Sequence, residues 1–292
     1  MLTTMKELLK VAYEHKFAVG SYNVANSEFV RAIIETAEEK QAPAILQIHP
    51  NELNLISDEF IAYCREAAHR AKVPVGIHLD HGGTLEDIIR AVRNGYTSVM
   101  MDASHLPYEE NIELTKKAVE IAHAVGVSVE AELGTIGNNG DSSEGGANTI
   151  LYTDPEQAVD FVKRTNVDTL AVAIGTSHGI YPKDRAPKIQ IDRLKKINEL
   201  IGIPLVLHGG SDNPDEDIRA AIENGVAKIN LSSDMKRAFF LQLRKTLSDQ
   251  PNAFEPDVIY PDANKAAKEV LAFKMDLFKS TGKAPLYQLA AF

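Results

Sequence analysis

The sequence predicts an α/β fold, a closed (β/α)8 barrel of the TIM type with an additional C-terminal helical segment, and three observations carry that prediction. Short apolar runs rich in β-branched residues alternate with longer amphipathic stretches from end to end. Eight such runs are found, a number that favours closure over an open doubly wound sheet. The chain's 292 residues, 44% of them hydrophobic, can bury a large core. One barrel needs roughly 250 residues, so a single domain, residues 1–292, suffices.

In chain order, an amphipathic segment, MLTTMKELLKVAYEHK, precedes the first strand, FAVGSYN (Phe17 to Asn23). PAILQI (Pro43 to Ile48), PVGIHLD (Pro74 to Asp80) and TSVMMD (Thr97 to Asp102) follow. The remaining strands are VSVEAEL (Val127 to Leu133), DTLAVAI (Asp168 to Ile174), PLVLH (Pro204 to His208) and AKINL (Ala227 to Leu231).

An internal repeat supports this division. HGGTLEDIIRAVRNGYTSVMMD, from His81, matches HGGSDNPDEDIRAAIENGVAKINLSSD, from His208, in its HGG opening, its helix ending in Asn-Gly and its return strand. Thr84, with Asp87 three residues on, caps the first helix; Asn213 is the expected cap of the second, with Pro214 at its first helical position. Gly95 and Gly225 can take the left-handed conformation that ends each helix. Two segments exceed simple βα units. Gly134 to Gln157 is a glycine-, asparagine- and serine-rich loop that reads as a functional lid or a disordered insertion, its place at the C-terminal face favouring the lid. Beyond Leu247 a surplus helix, Ala263 to Ser280, is expected to pack on the barrel or against a second subunit.

The formal net charge is −10 and no basic run interrupts it, which argues against nucleic acid as a partner. The only cysteine, Cys64, lies at helical spacing in EFIAYCREAAHR and cannot form an internal disulfide, so a reducing, cytoplasmic compartment is expected. No segment reads as a signal peptide or membrane span, so no membrane partner is expected.

Closed α/β barrels place their chemistry at the C-terminal ends of the strands. Asp80 and His81 end the third strand, Asp102 the fourth and Glu132 the fifth; His178 follows the sixth and His208 ends the seventh. A single strand-end histidine is ordinarily a hydrogen-bonded core residue. Three histidines and several carboxylates aimed at one mouth instead fit a zinc site with three protein nitrogens and an open position. His78 is two residues back from Asp80 and belongs to a supporting layer, while His15, His69, His105 and His123 carry no partner pattern. GTSHGIYPK (Gly175 to Lys183), HGGSD (His208 to Asp212) and NLSSD (Asn230 to Asp234) bring glycines, serines and backbone N–H groups to the same mouth. The last two follow the seventh and eighth strands, where such barrels hold phosphate.

SYNVAN, HLDHGG, DASH, EAELG, VAIGTSHGIY, VLHGGSD and KINLSSD, in this order, resemble the zinc-dependent class II ketose-bisphosphate aldolases of the fructose- and tagatose-bisphosphate type, particularly the tagatose branch. The resemblance runs from Phe17 to the C-terminal helix. It implies an enzyme that reversibly cleaves a ketose phosphate or bisphosphate into dihydroxyacetone phosphate and an aldehyde. It further implies that His81, His178 and His208 bind zinc, that Asp80 is the catalytic acid/base, and that Asp102 and Glu132 form a supporting or alternate metal position. Gly179, Gly209, Ser211, Ser233 and Lys183 would bind the donor phosphate, and Asn23 and Asn230 the substrate oxygens. A monovalent cation, Na+ or K+, would lie near the phosphate. Glu144, in the glycine-rich loop, would protonate the intermediate, and the chain would assemble as a homodimer or homotetramer.

Two departures stand out, one on the acceptor side and one in a donor-side loop. Where the family carries Asp-Pro-Arg, whose arginine binds the distal phosphate from a neighbouring subunit, this chain reads Glu255-Pro256-Asp257. A carboxylate there opposes a second phosphate. In QIHPNELN, His49 and Asn51 stand where relatives carry a serine-type contact, and His49 reads either as a substrate contact or as an exposed loop residue. The acceptor is therefore expected to need no phosphate. Two competing readings are a zinc-dependent barrel hydrolase, which would not need three phosphate loops, and a non-catalytic barrel subunit of an aldolase complex, against which Asp80 beside three histidines speaks.

Overall fold

The computed structural model describes residues 1–139, 146–147, 149–179, 181 and 188–287. Its strands are β1 (Val19–Asn23), β2 (Ala44–Ile48), β3 (Val75–Gly82), β4 (Ser98–Met101), β5 (Ser128–Leu133), β6 (Gly137–Asn138), β7 (Thr169–Val172), β8 (Ser177–His178), β9 (Leu205–Leu207) and β10 (Val226–Leu231). Eight of them close a parallel barrel in the order β1-β10-β9-β7-β5-β4-β3-β2, and β6 pairs with β8 as a separate two-stranded sheet. The expected eight barrel strands are thus all present, each sharing residues with its predicted run.

The helices are α1 (Met5–Glu14), α2 (Ser27–Lys40), α3 (Pro50–Ile56), α4 (Glu59–Arg70), α5 (Leu85–Asn94), α6 (Tyr108–His123), α7 (Pro155–Thr165), α8 (Ile191–Ile201), α9 (Asp215–Glu223), α10 (Ser233–Asp249), α11 (Pro256–Ile259) and α12 (Pro261–Leu277). Local sequence starts and stops them. Thr84 and Asp87 cap α5 reciprocally, and Gly95, at φ 82°, ends it in the left-handed conformation. The second repeat differs by one residue from expectation. Pro214 is the N-cap of α9, and the Asn213 amide instead donates to the carbonyls of Gly209 and Ser211. Asn213 is drawn into shaping the HGGSD turn, so the helix starts without a side-chain cap.

The apolar faces of the outer helices pack on the barrel in a cluster that includes Phe29, Ile33, Phe161 and Phe239, while Met5, Leu8 and Leu9 of α1 belong to a second. The surplus α12 packs against α2 and α10, as expected of a barrel support. Cys64 is buried on α4, and desolvation pushes its thiol up to about 12. Among the described residues no helix is long and apolar enough to cross a membrane.

The barrel interior departs from an ordinary apolar filling. Ser21 and Asn23 on β1, His78 and Asp80 on β3, Glu130 and Glu132 on β5, and Lys228 and Asn230 on β10 are all buried. Each pair is two residues apart, so both members project from the same face of their strand. Such polar residues persist in a core only when partnered, and their partners define the site.

Candidate active site

The three strand-end histidines meet. The rings of His81 and His208 are 4.6 Å apart, those of His81 and His178 5.0 Å, and those of His178 and His208 5.8 Å. One ligand nitrogen from each lies within 4.8 Å of the others. A second set, His81, Asp102 and Glu132, converges within the same limit. His81 sits at φ 47°, a left-handed conformation that costs a non-glycine residue about 1–3 kcal/mol and is typical of functional sites. His178 is set by β8, whose pairing with β6 places Asn138 opposite it. A Cβ at Gly137 would stand 2.3 Å from Ser177 Oγ, so a larger residue there would force that hydroxyl to turn.

Hydrogen bonds fix which nitrogens face the centre. His81 Nδ1 lies 2.7 Å from Asp102 Oδ2, while Asp102 Oδ1 accepts from the backbone and hydroxyl of Ser104. His208 Nε2 lies 2.9 Å from Glu130 Oε1, and Lys228 Nζ donates to Glu130 Oε2 at 2.8 Å. Both imidazoles therefore spend one N–H on a carboxylate. Their remaining nitrogens, His81 Nε2 and His208 Nδ1, face each other at 3.0 Å. Two lone pairs at that distance repel unless a cation stands between them. Burial would lower His81, but Asp80 and Asp102 outweigh it and raise the imidazole to about 10. Desolvation and the neighbouring His81 charge keep His208 well below its ordinary value. The donor set, three imidazole nitrogens with carboxylates behind two of them, fits zinc.

The surrounding carboxyls are strongly perturbed. Burial, with the charge of Asp102, pushes Glu132 up to about 8. Asp102 is desolvated too, yet its bond to His81 holds it well below the usual range. Asp80 is fully buried and raised by desolvation, against the pull of His81 and Lys228. It accepts from Gln47 Nε2 at 3.2 Å and from Asn230 Nδ2 at 3.1 Å, which orient the carboxylate beside His81.

The expected phosphate loops lie next to one another. The backbone N–H of Gly210 donates to Asn230 O at 3.1 Å, and that of Asp234 to Ser211 Oγ at 3.4 Å. Gly209, at φ 64°, passes so close to Ser177 that a Cβ would stand 2.4 Å from its carbonyl oxygen. Gly179 also has positive φ, and Ser233 opens α10, whose first-turn amides suit an anion. Lys183 and Glu144 lie outside the described residues.

His49 is buried rather than exposed, its ring 5.9 Å from that of His81, and its Nδ1 accepts from the backbone of Asn51 to start α3. Asp257 is exposed on α11, in a groove of about 760 Å3 between α2 and α12. That groove is larger than the cavity at His81, Asp102, Glu132 and His178, about 200 Å3, but only the latter gathers the histidines. His105, read as structural, also lines this cavity, and His123 pairs with Asp168 at 2.8 Å. Sequence reading did not single out Glu130, Lys228, Gln47, Glu52 or Lys236. For the first three the signal was available: charged and amide residues at inward positions of barrel strands, where apolar ones are the rule.

Comparison with known proteins agrees with this geometry. The family Fructose-bisphosphate aldolase class-II matches residues 3–283. This chain belongs to the class II fructose-bisphosphate aldolase family. The fructose-bisphosphate aldolases of Thermus caldophilus and Geobacillus stearothermophilus are each 41% identical to it, over 97% of this chain and 100% and 99% of theirs. Among solved structures, the YdjI aldolase of Escherichia coli K12 superposes with a TM-score of 0.86 at 36% identity, covering 97% of this chain and 100% of that one. A putative fructose-1,6-bisphosphate aldolase from Coccidioides immitis gives 0.87 at 32% identity, with 98% and 99% covered. The protein is thus a class II aldolase, a carbon-carbon lyase, on a TIM barrel.

Proposed function

We propose that this aldolase uses zinc held by His81, His178 and His208, takes dihydroxyacetone phosphate as donor, and accepts an aldehyde that need not be phosphorylated. The convergence of three imidazoles beside the buried Asp80 carries the reading. When bound, zinc acts as a Lewis acid on the donor's carbonyl and hydroxyl oxygens, worth several kcal/mol as charge develops there. The protein's own groups do the rest. Asp80 removes the C4 hydroxyl proton during cleavage and returns it during condensation, its carboxylate aimed by Gln47 and Asn230. Its raised proton affinity suits a group that must both take and give a proton. Asp102 and Glu130 hold His81 and His208 in the tautomers that leave a nitrogen free for the metal, and Glu132 with Asp102 offers an alternate position for the ion.

Gly179, Gly209, Ser211 and Ser233, with Lys183, would hold the donor phosphate, and Asn23 and Asn230 the substrate oxygens. Glu144 would supply the proton to the donor carbanion, and a monovalent cation, Na+ or K+, would neutralise the phosphate end. The whole chain acts as one domain in a cytoplasmic homodimer or homotetramer. Asp257 on the exposed α11 supports an acceptor without a second phosphate, because it presents a carboxylate where a base would be required.

Triose phosphate release from a ketose 1-phosphate tests the core reading. It should be abolished by a chelator, restored by zinc and insensitive to borohydride with substrate. Release that survives complete metal removal would overturn it. A strong preference for the 1,6-bisphosphate would overturn the acceptor assignment alone.

A further inference from the structure

We propose that Tyr181 is a positioning residue that ties the strand carrying His178 to the HGGSD turn, so that one metal ligand and the donor-phosphate loop keep a fixed relation, an inference that rests on the aldolase reading above. β8 is only two residues long and pairs with β6 alone among the described strands. The backbone N–H groups of Gly137 and Asn139 donate to the carbonyls of Thr176 and His178 at 3.3 and 3.0 Å. The backbone groups of Ser177 alternate with these and therefore face away from β6. An N–H on the open side of so short a strand, on a buried residue, needs another partner. Tyr181 supplies it, because the Ser177 N–H donates to the phenol oxygen at 2.6 Å. The phenol stands where a further strand would otherwise lie.

The same tyrosine grips the neighbouring turn. Its backbone N–H donates to Asp212 Oδ2 at 3.2 Å. Asp212 stands at φ 56°, a left-handed conformation that Asp tolerates better than most residues. Asn213 holds that turn from within, through the carbonyls of Gly209 and Ser211, and Gly209 lies directly against the Ser177 carbonyl. Tyr181 itself is buried, and burial raises its phenol above the ordinary value, so the hydroxyl stays neutral and able to accept. One bond thus reaches the residue before His178 and the other the residue after Ser211. They act in series, and cutting either frees β8 from the turn. With β6 on one side and Tyr181 on the other, β8 delivers the His178 ring to within 5.0 Å of His81 and 5.8 Å of His208. Tyr181 acts through these residues rather than on the substrate.

Two variants cut the two bonds. Tyr181→Phe keeps the ring and removes the oxygen, and Asp212→Gly accepts the left-handed backbone without the carboxylate. Each should weaken zinc about tenfold in a chelator competition and raise KM for a ketose 1-phosphate more than it lowers kcat. Because the bonds lie in series, the double variant should lose little more than the worse single one. In cobalt(II)-loaded Tyr181→Phe the visible absorption band should move toward that of His178→Ala. A role in packing alone would lower the melting temperature and leave the band and the zinc affinity at their wild-type values, which would overturn the proposal, as would strictly additive losses in the double variant. Should Tyr181→Phe not fold, Asp212→Gly, which removes no core atom, decides by the same competition. A wild type that binds zinc yet releases no triose phosphate would instead strike at the aldolase reading, and the competition would still decide for Tyr181.

Discussion

The proposed metal end of the mouth and the loop after β2 are built on different principles. At the metal end, Asp80, Glu130, Glu132 and His208 are buried on or at the tips of barrel strands, and His81 and His208 are each backed by a carboxylate. In the loop after β2, His49 caps the short helix α3 and Glu52 lies in its first turn, and Glu52's partner Lys236 is 24% exposed. Strands fix spacing to fractions of an ångström and suit chemistry; a connecting helix can be exchanged without disturbing the sheet and suits substrate choice.

Four substitutions or titrations should widen or erase that contrast. The largest effect is expected at Asp80. Asp80→Asn should retain its zinc, measured by metal content, while kcat falls about 10²- to 10⁴-fold; undiminished turnover would remove Asp80 from the mechanism. Next is the brace behind His208. Glu130→Ala leaves the fully buried Lys228 ammonium alone in the barrel and should cost about 3–5 kcal/mol of stability in a denaturant melt. Adding Lys228→Met should recover most of that stability, yet zinc affinity in a chelator competition should stay about 10- to 100-fold weaker. Equal affinity in the double variant would show that the pair only fills space.

A third effect follows from the raised proton affinity of His81. Because the free protein holds His81 at about 10, the metal must displace that proton at neutral pH. Apparent zinc affinity should therefore weaken about tenfold for each unit the pH falls through the neutral range, with one proton released per ion in a buffer-dependent calorimetric titration. An affinity independent of pH would show that no proton is displaced. The smallest effect belongs to the start of α3. His49→Ala removes the cap on Asn51 and should cost about 0.5–2 kcal/mol, leaving bound zinc unchanged.

Much of the metal end was legible in the sequence because it is written in contiguous strings. HLDH puts the proposed base beside a metal-facing histidine, and HGG, repeated at 81 and 208, announces two strand-end turns. Periodicity located the eight strands because each is short and β-branched. The braces were harder to read. Glu130 and Lys228 lie 98 residues apart, and Glu52 and Lys236 184 apart, so only closure of the barrel brings them together. Glu52 carries no distinguishing signal of its own, since Glu at the third helical position is what any capping box contains. Asn213 misled in the opposite sense. Its residue type favours a cap, but two carbonyls of the preceding turn compete for its amide and win.

The burial of Cys64 has a practical corollary. With its thiol held at about 12 and covered by α4's neighbours, the native chain offers maleimides no ready target under assay conditions. A single cysteine placed at an exposed position of α3, such as Leu55, would then carry a fluorophore at the rim of the mouth without background labelling. Arrival of sugars could be watched there in real time, in a molecule otherwise unaltered.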